Sequence, residues 1–302
     1  MKKQKNFEGF VSGHNACAGC GSALAMRHIL KIAGPNTIVT IATGCMEVVS
    51  TVYPLTAWKV PCIHSAFENT AATASGIEAA LKKQGKKINV IAIAGDGGTF
   101  DIGLQALSGM LERGHRVLYI CYDNEAYMNT GIQRSGATPL HADTTTSPFG
   151  SVIHGKLEVK KNMPFLVASH GNVYVATASI GYLEDFKSKL KKALEHIHRP
   201  GKEGGPAYIQ VLCPCIPGWK IPSNITIKLA KQAVNSKVYL LFEIENGRLK
   251  LQEFPEEKLE NYLKVQGRFS HLKEKDIIEL KKIFEKNYQK LKKISDSGIN
   301  TF

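Results

Sequence analysis

The 302-residue chain has no apolar run approaching the roughly 18 residues that a membrane span needs, so no transmembrane helix is expected. Its charged start, Met-Lys-Lys-Gln-Lys-Asn-Phe-Glu, is not followed by an apolar segment, which argues against a signal peptide and for a cytoplasmic protein. The seven cysteines are odd in number and scattered from Cys17 to Cys215, which argues against a disulfide framework and for metal ligands or buried thiols. Only one Cys-x-x-Cys is present, so a zinc ribbon is not expected. No run of four closely spaced cysteines ending in Cys-Pro marks a ferredoxin-like module. No basic stretch is interleaved with aromatics, so nucleic acid is not an expected partner. Acidic residues are also few, and the resulting charge of +13 gathers in lysine-rich stretches at 186–192 and 273–293. These read first as solvated helix faces, and otherwise as attraction for an acidic electron carrier or a nucleotide-tailed substrate.

The informative stretch is in the middle of the chain. Ile91-Ala92-Ile93-Ala94 and Val117-Leu118-Tyr119-Ile120-Cys121-Tyr122 read as strands buried on both faces of a parallel sheet. The first stops at Gly95-Asp96-Gly97-Gly98, the second at Asp123-Asn124. Between them, residues 101–113 have helical spacing (Ile102, Leu104, Leu107, Met110, Leu111) and close at Gly114. In open α/β sheets ligands sit beyond the carboxyl ends of strands, so Asp96 and Asn124 are expected to point at one spot. A carboxylate, an amide oxygen and a Gly-rich turn opening a helix suit a divalent cation holding a diphosphate. A bare Gly-Asp-Gly is more often only a turn.

Other segments aim at the same rim. Residues 37–45 read as a buried strand ending at Gly44-Cys45, and residues 207–215 as another that runs into Cys213-Pro214-Cys215. Cys17 and Cys20 form a loop entering an amphipathic helix over residues 21–33. An iron–sulfur cluster takes four thiolates that can come from distant segments. Alternate residues of an extended segment face the same side, so spacing leaves Cys213 and Cys215 equivalent. Cys62 and Cys121 have no companions and read as core thiols. The Ala-rich stretch 63–81 reads as a helix packed closely on the sheet, with His64 and Glu68 at its start as candidates for a catalytic role. A long polar loop after Gly131 reads as a binding or covering segment. From residue 226 onward the character changes. A hairpin around Glu245-Asn246-Gly247 is followed by charged helical sequence.

Gly-Asp-Gly followed after 26 residues by Asn resembles the thiamine-diphosphate signature. The continuation Asn124-Glu-Ala-Tyr-Met-Asn-Thr-Gly131 resembles one branch of it, the beta subunits of 2-oxoacid:ferredoxin oxidoreductases, the pyruvate:ferredoxin oxidoreductase (pyruvate synthase) group in particular. The order Cys-x-x-Cys, Gly-Cys and Pro-Cys-x-x-Gly-Trp resembles the single [4Fe–4S] site of that family, and the segment 262–272 resembles it as well. Together the resemblance spans roughly residues 10–272.

It implies an α/β thiamine-diphosphate-binding fold, a mostly parallel sheet flanked by helices, over residues 1–225. Residues 226–302 would be a hairpin-plus-helix extension contacting a partner subunit. Implied cofactors are thiamine diphosphate, Mg2+ and one [4Fe–4S] cluster. Mg2+ would be held by Asp96, Asn124 and the main-chain carbonyl of Ala126, with Gly95, Gly97, Gly98 and Thr99 against the diphosphate. Cys45, Tyr127, Asn129 and Thr130 would border the cofactor, and Asn129, beside its reactive carbon, would be the catalytic residue. The cluster ligands would be Cys17, Cys20, Cys45 and Cys215. Ser22, where some relatives carry a glutamate, receives no role.

The implied reaction is reversible oxidative decarboxylation of a 2-oxoacid with coenzyme A to acyl-CoA and CO2, electrons passing through the cluster to ferredoxin. Pyruvate is the first choice of substrate, a branched-chain 2-oxoacid or 2-oxoglutarate the next. No residue can be nominated for the glutamate that thiamine enzymes set against the aminopyrimidine, so partner subunits of alpha, gamma and delta type, or fused equivalents, are expected. Two rivals stand beside this reading. One is a thiamine-diphosphate decarboxylase or carboligase without iron–sulfur. The other is a non-catalytic interaction protein stabilised by zinc on the same four cysteines.

Overall fold

Val90, Ala92 and Ala94 pack into one core and Ile91 and Ile93 into another, the period-two alternation of a strand covered on both faces. The computed structural model describes residues 7–151 and 154–300, and the charged start at residues 1–6 lies outside them. Strands β1 (Thr37–Ala42), β2 (Cys62–Ser65), β3 (Asn89–Gly95) and β4 (Leu118–Asp123) precede β5 (Tyr174–Ser179), β6 (Ala207–Leu212), β7 (Phe242–Glu245) and β8 (Arg248–Leu251). They form one eight-stranded sheet in the order β2-β1-β3-β4-β6-β5-β7-β8. Neighbours among the first six are parallel, and β7 and β8 join antiparallel beyond β5.

The helices are α1 (Gly21–Ala33), α2 (Cys45–Ser50), α3 (Thr70–Lys83), α4 (Leu104–Glu112) and α5 (Met163–Ala168). After them come α6 (Leu183–His198), α7 (Ile216–Trp219), α8 (Thr226–Asn235), α9 (Leu259–Leu263) and α10 (Glu274–Ser297). One face of the sheet is closed by α1 and α6 through Met26, Ile29, Leu30, Phe186 and Leu190. The other is closed by α3, α4 and α5 through Ala71, Ala74, Leu107, Met110 and Val167. The small side chains of α3 pack in the same core as Ala92 and Ala94, so that helix lies close to β3. No helix among the described residues is long and apolar enough to cross a membrane.

One segment differs from the sequence reading. Residues 63–81 do not start as helix: Cys62–Ser65 pairs with β1 as an edge strand, and α3 begins at Thr70. Edge position explains why this strand carries exposed Ile63 and His64 rather than a continuous apolar run. The chain beyond residue 226 is built onto the sheet. Asn246 and Gly247 both have positive φ, 52° and 74°, and turn β7 back as β8. A third core, containing Trp219, Leu229, Tyr262, Leu263 and Leu280, ties α8, α9 and α10 to the strand ends.

The register of β3 and β4, with Gly95 opposite Tyr122, brings Asp96 level with Asp123 just past both carboxyl ends. The ends of β1 and β6 flank them, followed by α2 and by Cys213-Pro214-Cys215.

Candidate functional site

Three oxygens meet at the ends of β3 and β4. Asn124 sets one end of its amide 2.8 Å from Asp96 Oδ1 and 3.0 Å from the Ala126 carbonyl oxygen, a contact that favours the amide oxygen only with a cation between them. Turned over, the amide would donate to both oxygens. Adjacent ligands of an octahedral Mg2+ ion bonded at about 2.1 Å stand roughly 2.9 Å from each other. Carboxylate, amide and carbonyl oxygens at these spacings fit that ion. Asp96 is fully buried, and burial followed by the nearby Asp123 carboxylate pushes it well above the usual carboxylate range, while the Ser135 hydroxyl, donating at 2.5 Å, opposes the rise. A cation at the meeting point would supply the missing positive charge.

A cavity of about 300 Å3 opens over these oxygens. Of the residues proposed from sequence, Cys45, Gly95, Asp96, Gly97, Gly98, Asn124, Ala126, Tyr127, Asn129 and Thr130 all line it. Thr99 does not: its hydroxyl donates back to Gly95 O at 2.7 Å and meets Tyr119 Oη at 3.2 Å, so its side chain points into the sheet. The Gly-rich turn runs as a π-helical turn over Gly97–Asp101 into α4. A Cβ on Gly97 would strike the Tyr127 ring, and one on Gly98 would come within 3.2 Å of Phe67. The two rings meet edge to face at 5.8 Å and wall the cavity above the turn.

Sulfur gathers at the cavity's border. Burial, followed by the charges of Cys215, Cys20 and Cys17, pushes the Cys45 thiol up to about 12. Cys215 is pushed up to about 12 by burial, with Cys20 and Cys17 adding to it. The four cysteines named from sequence therefore lie within one another's field. Cys20 N donates to Cys17 O at 3.0 Å, closing their loop at the start of α1. Among the described residues, no group of three or more His, Cys, Asp or Glu is drawn in tightly enough to hold a single metal ion. Cys213 packs fully buried in the core beneath α1, and Cys121 lies inside β4. Cys62 is raised to about 12 by burial and by Glu47.

Several residues at the site gave no local signal in the sequence. Phe67, Thr43 and Tyr122 line the cavity. Ser135 and Thr138 come from the long polar loop, and Thr138 Oγ1 donates to Glu125 O at 2.7 Å. Trp219, Lys160 and Arg268 converge behind the 123–126 turn. His64 does not stand at a helix start. It sits on β2, with Nε2 2.7 Å from the Thr43 hydroxyl and Nδ1 3.3 Å from Glu47 Oε1. Glu68 follows on the segment leading to α3 and does not line the cavity.

Residues 42–211 match the family described as thiamine pyrophosphate enzyme, C-terminal TPP binding domain. Pyruvate synthase subunit PorB of Methanocaldococcus jannaschii is 54% identical, covering 92% of this chain and 94% of the relative. Pyruvate synthase subunit PorB of Pyrococcus furiosus is 51% identical over 88% of this chain and 87% of its own. Ketoisovalerate oxidoreductase subunit VorB of Pyrococcus abyssi is 46% identical over 96% and 94%. Among solved structures, a 2-oxoglutarate:ferredoxin oxidoreductase from Magnetococcus marinus shares the fold, with a TM-score of 0.56 and 22% identity, covering 76% of this chain and 82% of that one.

Proposed function

Because the chain belongs to the 2-oxoacid:ferredoxin oxidoreductase beta-subunit family, within its pyruvate synthase subunit PorB group, we propose that it is the thiamine-diphosphate and iron–sulfur subunit of an enzyme converting pyruvate, coenzyme A and an oxidant to acetyl-CoA and CO2. The observation that carries this reading is the meeting of Asp96, Asn124 and Ala126 oxygens inside a cavity bordered by Cys45. Bound there, thiamine diphosphate would supply a centre that stabilises negative charge as CO2 leaves, and a [4Fe–4S] cluster would accept electrons singly.

The chain's own residues do the placing. Asp96, Asn124 and the Ala126 carbonyl would hold Mg2+. The first N–H groups of the Gly97–Asp101 turn have no partner within the turn and suit the diphosphate. The paired rings of Phe67 and Tyr127 exclude water from the side above the glycines. Asn129 and Thr130, on the segment after the metal turn, border the same space and are proposed to contact substrate or cofactor, Asn129 as the catalytic residue. Cys17, Cys20, Cys45 and Cys215 are proposed as the cluster ligands. What supports the set is that Cys17, Cys20 and Cys215 all act on the Cys45 thiol at the border of the cavity. Other subunits of the complex are proposed to complete the site and pass electrons to ferredoxin in the cytoplasm, with residues 226–302 contributing to subunit contact. A 2-oxoisovalerate preference is the second reading, favoured by the likeness to the ketoisovalerate subunit.

The test is reduction of a dye by the assembled enzyme with a panel of 2-oxoacids and coenzyme A. Fastest turnover with pyruvate is expected. A preference for 2-oxoisovalerate would install the second reading, and no turnover with any 2-oxoacid would overturn both.

A further inference from the structure

Four consecutive main-chain carbonyls run from the last residue of β4, Asp123, to Ala126, and three of them accept from other parts of the chain. Asp123 O accepts from Cys213 N at 2.8 Å, Asn124 O from Trp219 Nε1 at 2.8 Å, and Glu125 O from Thr138 Oγ1 at 2.7 Å. The fourth, Ala126 O, lies 3.0 Å from the end of the Asn124 amide that also lies 2.8 Å from Asp96 Oδ1, an end that donates to both oxygens as NH2 and would join them as a third ligand oxygen around a cation. What aims it there is Glu125, whose φ of 70° is left-handed, an uncommon and costly conformation for a residue with a long side chain. Something must hold it.

The Glu125 side chain is gripped on both oxygens inside the protein. Lys160 Nζ donates to Oε1 at 2.8 Å and Arg268 Nη2 to Oε2 at 2.7 Å. Lys160 also reaches Asp123 Oδ2 at 2.5 Å. Arg268 and Glu125 are each about 2% exposed, so neither charge is screened by water. Arg268 is itself fixed. Its guanidinium lies 3.7 Å from the centre of the Trp219 ring, the ring whose N–H holds Asn124 O. Its Nε donates to Gln266 Oε1 at 2.9 Å, and its carbonyl accepts from Asp143 N at 3.0 Å. The residue comes from the segment after α9, far along the chain from the turn it braces.

We propose that Arg268 is a positioning residue for the Mg2+ site. Together with Lys160 it pins the Glu125 side chain, and the pinned side chain holds the left-handed backbone that directs the Ala126 carbonyl at the ion. The inference rests on the assignment of Asp96, Asn124 and Ala126 as metal ligands. It gives the C-terminal segment a task inside the cofactor site in addition to any contact with other subunits. Replacing Arg268 would leave Glu125 buried with half its partners, and the turn would relax away from its strained conformation.

The test uses the full chain assembled with its partner subunits, Mn2+ in place of Mg2+, and thiamine diphosphate at a fixed concentration. Free Mn2+ is counted by its EPR signal. Removing a residue that orients a metal ligand costs about 10- to 100-fold in affinity, and that loss is expected for Arg268→Met, with a smaller one for Arg268→Lys. Lys189→Met is the control. It strips an equally buried amine, bonded to Thr177 O at 2.9 Å and Asp185 Oδ2 at 2.8 Å, from α6 on the other face of the sheet. It is expected to lower the melting temperature and leave Mn2+ affinity unchanged. Wild-type affinity in both Arg268 variants, with affinity lost in Asp96→Asn, would overturn the positioning role and leave the metal site standing. Unchanged affinity in Asp96→Asn would overturn the metal assignment and this inference with it. If Arg268→Met does not fold, Arg268→Lys decides by the same readout.

Discussion

Cys213 and Cys215, two positions apart at the end of β6, face different surroundings. Cys213 is fully buried in the core beneath α1 and feels Cys20 alone among the other three, whereas Cys215, at the entry to α7, lies in the field of Cys17, Cys20 and Cys45. The intervening Pro214 and the start of α7 break the strand alternation that would have put both thiols on one side.

The two cysteines should therefore respond differently to replacement. Cys45→Ser and Cys215→Ser are expected to abolish broad absorption at roughly 400 nm and to lower bound iron, because a [4Fe–4S] centre needs its four thiolates. Cys213→Ala is expected to keep both while costing about 1–2 kcal/mol of stability from the cavity it leaves. Visible spectra, iron assay and denaturant melts distinguish the outcomes.

Gly97 and Tyr127 offer a steric test of the cavity wall. Gly97→Ala is expected to push the ring into the cofactor space and weaken thiamine diphosphate binding about tenfold, at a stability cost of about 1–3 kcal/mol. Adding Tyr127→Ala should recover much of the affinity by removing the obstacle. Calorimetric titration of both variants reads the effect, and a double variant no better than the single one would refute the steric account.

Thr43 lines the cavity, and its hydroxyl lies 2.7 Å from His64 Nε2. A single hydrogen bond of about 1 kcal/mol corresponds to roughly fivefold in rate if it orients a group at the reacting centre. His64→Ala is expected to lower kcat of the assembled enzyme by about that much, and His64→Gln to retain most of it. Glu68→Gln should leave kcat unaltered.

Lys156 provides a pH signature for the polar loop. It is almost fully buried and donates to Thr138 O at 2.6 Å, and burial, with Arg134 next, pulls its amine down to about 8. The folded chain thus binds fewer protons than the unfolded chain between about pH 8 and the free-lysine value of about 10.4. Stability must rise with pH across that window. Against Lys156→Met, the wild type is expected to gain up to about 2 kcal/mol between pH 7.5 and 9.5 in urea melts. A flat difference would show that the amine keeps its ordinary proton affinity, and a falling one that folding raises it; either would refute the prediction.

Much of the architecture could be read in advance because its signals are local. The doubly buried strands are continuous apolar runs, the Asn246-Gly247 turn has its own signature, and Asp96 and Asn124 end adjacent strands. Strand β2 escaped because an edge strand with exposed Ile63 and His64 has no such run. The resemblance places Thr99 at the diphosphate, but its hydroxyl donates to Gly95 O. Arg268 could not be assigned from sequence. It meets Glu125 across 143 residues, and an isolated arginine in a polar segment looks like any other surface charge.

The placement of Asp96 level with Asp123, one residue before Asn124, comes from hydrogen bonds between β3 and β4, while the connection between those strands makes its exit turn at the opposite end of the sheet. That turn, at Gly114, lies a strand length of about 20 Å from the oxygens; open space surrounds it, and its φ of 65° makes it a glycine to keep. It is consequently the place in this half of the chain to splice in an affinity handle or a reporter peptide while leaving the chemistry at the far rim intact.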